Sequence, residues 1–187
     1  MARGSKESFM MPRRIVAILA LALALFCGNS VCRAADGFES VRCGSDVRKA
    51  LVGRKMSNET IVVLEERHKE LGLKDLGADE LSDHMSLVYW RICGEEYVVF
   101  EDRDIVKDAL KLPNHSKDAP EFLGSGQVNG HDLPGTIIAV LKNEEGAEKL
   151  TATAAWKIDE KRKKFVALPT EGLRCPRDGI ITVDGGR

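Results

Sequence analysis

Four histidines, three cysteines beyond the leader and a glycine-rich stretch are the residues in this chain that could do chemistry. His68, His84, His115 and His131 could act as bases or metal ligands. None repeats at ligand spacing on one predicted element, so no zinc set is encoded. Ser125, His131 and Asp132 have the types of a nucleophile, base and orienter. They are too close in sequence to orient one another, and no nucleophile elbow surrounds the serine. His84 follows Asp83 and meets the same objection. Carboxylates are numerous enough for a glycosidase pair, but that chemistry needs two of them at a set separation, which spacing along the chain does not define.

Gly124-Ser125-Gly126-Gln127-Val128-Asn129-Gly130 looks like a glycine-rich binding loop. A dinucleotide fingerprint follows a strand and opens a helix, because the phosphate rests on the helix's free amides. Here the glycines lead into a strand instead, and no phosphate-loop lysine follows. The stretch is therefore a candidate ligand- or partner-facing loop through Gly124, Ser125, Gly126, Asn129, Gly130 and His131. Nothing in it calls for a cofactor.

Cys43, Cys93 and Cys175 allow one disulfide and one remaining thiol. Cys43–Cys93 is favoured over Cys93–Cys175. It closes a loop of about 50 residues and is worth roughly 2–4 kcal/mol. Cys93 falls in a predicted strand rather than at a helix start, where a thiolate would be favoured. No Cys-x-x-Cys pair exists.

The disulfide expectation rests on export. Arg13-Arg14 precede the apolar run Ile15–Phe26, and Cys32-Arg33-Ala34 is a small-x-small triplet. Together they predict a cleaved signal peptide over residues 1–34. The apolar core is short for a bilayer span. Residues 35–187 are then one secreted or periplasmic domain, large enough to fold around its own core. Loss of Arg3, Lys6, Arg13, Arg14, Arg33 and Glu7 with the leader moves the formal net charge from −1 to −5. That balance argues against nucleic acid as a partner. Lys161-Arg162-Lys163-Lys164 is a local exception, read as a hairpin tip with some reach for an anionic surface. Asn58-Glu59-Thr60 and Asn114-His115-Ser116 fit the glycosylation acceptor pattern.

The elements that must position these residues begin with Ser86–Phe100, SLVYWRICGEEYVVF. Its density of strand formers predicts a central hairpin covered on both faces. Val88, Trp90 and Ile92 point one way; Leu87, Tyr89, Arg91 and Cys93 point the other. Gly94-Glu95-Glu96 is expected to turn it. A helix is expected over Asn58–Leu71, capped by Ser57, with Ile61, Leu64, His68 and Leu71 on one face. His68 reads as a half-buried residue at the helix edge.

A second helix is expected over Glu101–Lys111, ended by Pro113. Phe38–Cys43 reads as a short strand or an extended lead-in, Asp46–Leu51 as a turn of helix, and Leu73–Leu81 as a loop with a short helix. Asn114–Leu133 reads as a long aperiodic loop. Thr136–Leu141 is a strand, Thr151–Ile158 and Phe165–Leu168 a hairpin anchored by Trp156, and Gly179–Val183 a last strand. Hairpins dominate. The class is α+β, a mainly antiparallel sheet with about two packed helices.

On these grounds the chain reads as an exported, non-catalytic binding domain for a protein or other extracytoplasmic macromolecule. An inhibitor of a basic enzyme suits its charge. The alternatives are a hydrolase whose site assembles from distant residues, and a structural envelope component.

Overall fold

The computed structural model describes residues 36–181; the predicted signal peptide lies outside them. Among the described residues the strands form two antiparallel sheets. The first is a meander of β1 (Lys74–Ser82), β2 (Met85–Ile92), β3 (Glu95–Asp102) and β4 (Ile105–Lys111), in that order. The second contains β5 (Glu121–Gly124), β6 (Gln127–Val128), β7 (His131–Asp132), β8 (Ile137–Lys142), β9 (Lys149–Asp159), β10 (Lys164–Ala167), β11 (Leu173–Pro176) and β12 (Ile180–Ile181). Its order is β12-β5-β8-β9-β11-β6-β7, and β10 also pairs with β9. Two helices, α1 (Val47–Leu51) and α2 (Ile61–Arg67), accompany the first sheet. The fold is α+β, built from hairpins.

The central hairpin is β2–β3, paired from Met85↔Asp102 to Ile92↔Glu95. Strand alternation sends Trp90, Ile92, Tyr97 and Val99 into a cluster with Phe38, Leu51, Leu64 and Leu71. Leu87, Tyr89, Val98 and Phe100 face the other way and pack with Ile138 and Ile158 of the second sheet. Both faces are thus covered, as two-sided apolar character requires. The far face of β8 and β9 forms a third cluster with Phe122, Leu173 and Cys175. The turn itself is Cys93-Gly94, both at positive φ (55° and 81°), one residue earlier than expected. That conformation re-aims Cys93, which packs with the Trp90 side rather than the Arg91 side.

Cys93 bonds Cys43, with the Cα atoms 5.5 Å apart. Cys175 lies in β11 as a buried free thiol, so the Cys93–Cys175 pairing is not used.

The expected helix over Glu101–Lys111 is instead the end of β3, a tight turn and β4. Arg103 and Asp104 take positive φ (51° and 61°), as a two-residue hairpin turn demands. A bulge then shifts the register from Phe100↔Asp108 to Glu101↔Val106. The extra residue puts Val106 and Ala109, three apart, into the same cluster. That spacing imitates a helix period.

Leu73–Leu81 is not a loop with a helix but the edge strand β1, bulged at two points, with Leu76 its only fully buried residue. An edge strand with one covered face needs few apolar residues. Phe38–Cys43 is not a strand: Gly37–Ser40 make one 3-10 turn, capped by Asp36 accepting from the Phe38 amide at 2.8 Å. The turn of helix expected over Asp46–Leu51 is α1, with Asp46 as its cap. The cap of α2 is Thr60 rather than Ser57, and Ile61 lies outside the buried face, 46% exposed. Asn114–Leu133 carries β5, β6 and β7 and is not aperiodic throughout.

Candidate functional site

Ionisable side chains converge where the two sheets meet. Arg91 of β2 and Glu96 of β3 are direct cross-strand partners. Arg91 Nη2 donates to Glu96 Oε1 at 2.7 Å. The chain leaving β4 is held to β3 by the Leu112 amide on the Glu96 carbonyl, 2.8 Å. Pro113 breaks the strand there, and His115 turns back onto β3. Its Nε2 lies 3.1 Å from Glu96 Oε2 and 4.0 Å from Glu121 Oε2 of β5. His115 therefore bridges a carboxylate of each sheet. Both Glu96 oxygens are taken.

The crevice beside this group holds about 290 Å³ and is lined by Arg91, Glu95, Glu96, Asn114 and His115, among others. A narrower space behind it is walled by Leu76, Tyr89 and Ile181. Such a group could move a proton between His115 and a bound molecule. The described lining residues include the carboxylates of Glu95, Glu96 and Glu121 and no serine, threonine or cysteine. Among the described residues no three His, Cys, Asp or Glu side chains gather as a set that could hold a metal ion.

The remaining predicted residues go elsewhere. Asn129-Gly130 form the turn of the β6–β7 hairpin, at φ 50° and 83°. Gly126 is a packing glycine: a Cβ there would stand 2.6 Å from Ile137 Cδ1 and 3.0 Å from Leu173 Cδ1. Gly124 ends β5 next to the Phe122 ring, and Ser125 follows it. His131 is exposed on β7, while Asp132 accepts from Gln127 Nε2 at 2.6 Å. The loop is a small hairpin docked on β11. His84 is exposed in the β1–β2 turn.

His68 is fully buried rather than half-buried. Its Nε2 donates to the Asp36 carboxylate at 2.9 and 3.0 Å, and Arg67 Nη1 adds a third bond at 2.7 Å. Arg67 also pairs with Glu59. Burial pushes the Asp36 carboxyl up. Hydrogen bonds from His68, the Phe38 amide and Arg67 outweigh it and hold the group below the ordinary range. Glu101 on β3 has no such compensation. Burial, with the nearby Asp104 charge, raises it to about 7. The buried Cys175 thiol is pushed up to about 11 by its apolar surroundings, which makes it a poor nucleophile at neutral pH.

Comparison with family models, curated proteins and solved structures finds no match to this chain.

Two surfaces stand out beyond the crevice. The first turn of α2 exposes three consecutive apolar residues, Ile61 (46%), Val62 (74%) and Val63 (41%). Glu66, paired with Lys69 at 2.8 Å, is exposed on the same helix, and Glu70 is exposed in the 3-10 turn that follows it. The second is a basic cleft between α1, β4 and β10. Sequence reasoning reaches the basic run of the hairpin tip but not the cleft beside it, and not the exposed patch of α2. The spacing of Ile61 places it on the helix's apolar face, and the cleft beside the basic run is completed by α1 and β4, both far from it in the chain.

Proposed function

We propose that this chain is an exported, non-catalytic binding domain that docks a basic protein surface through the start of α2. The carrying observation is the uncovered Ile61-Val62-Val63 run beside exposed carboxylates. Contiguous exposed apolar residues with a polar border are what an interface centre needs, because burying them releases water while the rim sets partner choice. The acidic border and the net charge favour a cationic partner, as an inhibitor of a basic secreted enzyme would require.

The test is a panel of basic secreted hydrolases, assayed for inhibition by the wild-type domain and by Val62→Asp. The expected result is one-to-one inhibition of at least one enzyme, weakened more than about tenfold by Val62→Asp with an unchanged melting temperature. Equal inhibition by both proteins would place the contact elsewhere and overturn the assignment.

The second reading is a hydrolase, favoured by the His115–Glu96–Glu121 group at a crevice. Turnover of an ester, glycoside or phosphate ester that disappears in His115→Gln would establish it and displace the first.

A further inference from the structure

The basic run Lys161–Lys164 does not stand alone. β10 runs beside β4, and Lys164 comes to line a cleft of about 420 Å³ with Arg48 and Lys49 of α1 and Lys107 of β4. Asp46 and Asp108 are its two carboxylates, and both are committed. Asp46 accepts from the Lys49 amide at 3.0 Å as the cap of α1. Asp108 is 2% exposed and accepts from Arg48 Nε at 2.7 Å and from the Phe165 and Ala109 amides. Of the four cations, Arg48 is paired with Asp108, and Lys107 Nζ lies 4.0 Å from Asp102 Oδ2. Among the described residues Lys49 and Lys164 form no ion pair.

The tip of the β9–β10 hairpin continues the charge outward. Lys163 hydrogen-bonds the buried Asp102 of β3, pinning the tip to the first sheet and holding that carboxyl below its ordinary range. Lys161 and Arg162 stay exposed beyond it. The cations therefore run from the cleft floor out along the hairpin.

We propose that this cleft binds a sulfated polysaccharide, with sulfate groups set against Lys49, Lys107 and Lys164 and the chain continuing over Lys161 and Arg162. Lys49 and Lys164 add positive charge beside the Arg48 and Lys107 pairs with no carboxylate of their own, and that surplus is relieved when an anion arrives. A track rather than a closed pocket suits a polymer. The Cys43–Cys93 disulfide belongs to an oxidising compartment, where acidic polysaccharides rather than nucleic acids are the resident polyanions. The site shares no residue with the α2 patch and stands whether or not that surface docks a protein.

The probe is a fluorescent heparin decasaccharide, titrated at several salt concentrations. The wild-type protein is expected to bind it. Lys49→Gln/Lys164→Gln is expected to weaken binding about tenfold and to flatten the dependence of log Kd on log salt by roughly one to two units, the share of two cations. Both side chains are exposed and unpaired, so the melting temperature should hold. The charge-matched control Lys74→Gln/Lys142→Gln, on other strand ends, should bind as wild type does. Failure of the wild-type protein to bind, or equal weakening by the control pair, would overturn the proposal. So would displacement by free sulfate at matched sulfate concentration, which would mean a small-anion site. Tighter binding of single-stranded DNA than of the decasaccharide would overturn the choice of polymer.

Discussion

Replacing Glu101 with glutamine should stabilise the protein at pH 8 and leave it nearly unchanged at pH 4. The carboxyl sits on β3 with 9% of its surface exposed, opposite Ser86 and Val106, and is raised from 4.5 to about 7. Desolvation is the main cause, with the Asp104 charge adding to it. The folded state therefore holds a proton that the unfolded chain has released between those two values. Stability falls as pH rises through that window, and the full penalty persists above it. A shift of about 2.5 units at 1.36 kcal/mol each gives roughly 3 kcal/mol. Glutamine keeps the shape and removes the charge, so it should recover about 2 to 3 kcal/mol at pH 8, or about 5–10 °C in a domain of this size. Urea titrations and thermal melts of both proteins at pH 4 and pH 8 measure it. An equal difference at the two pH values would refute the reasoning, since no other feature of the substitution titrates. Destabilisation at pH 8 would do so as well.

Asp36→Asn should act in the opposite pH sense. A carboxyl depressed below 3.8 stabilises the fold above that value and loses its contribution as pH falls through the folded value. The substitution should cost about 3 kcal/mol at pH 7, because it removes the negative charge and one of the two oxygens that His68 and Arg67 share, and the gap should narrow as pH falls below the ordinary carboxylate range in chemical melts. Gly126→Ala should cost about 1–3 kcal/mol by driving a methyl into Ile137 and Leu173, read as a lowered urea midpoint. Non-reducing mass spectrometry should find Cys43 bonded to Cys93, and Cys175 should react with a maleimide only after denaturation. Fast labelling of native protein would contradict its burial. Removing both disulfide cysteines should lower stability by roughly 2–4 kcal/mol in the same titration.

The parts of the fold that can be read from the chain are those where one local rule acts alone. Leu87 to Ile92 alternate without interruption, and β2 forms where that alternation places it. β4 misleads because the bulge opposite Phe100/Glu101 inserts a residue, and Val106 and Ala109 then share a face at helical spacing. β1 is hidden for a different reason: as an edge it buries little, so its acidic residues resemble a loop. Sites are harder still. Arg91 and Glu96 are near in sequence, but His115 and Glu121 join them only once two sheets pack. Lys164 likewise meets Lys49 only across the junction of β10, β4 and α1. No spacing along the chain encodes such meetings, because they depend on how whole sheets are laid together.

One strand ties the second sheet together. β8 lies along most of one side of β9, while β11 takes the Lys149–Thr151 end of the other side and β10 takes the Trp156–Asp159 end. Three neighbours thus read their alignment off a single ruler. A residue inserted at its middle would carry the two halves out of phase, turning one neighbour's inward side chains to the opposite surface while the other kept its place. Length changes in that sheet should therefore be tolerated in the connections around β9 and rejected within it.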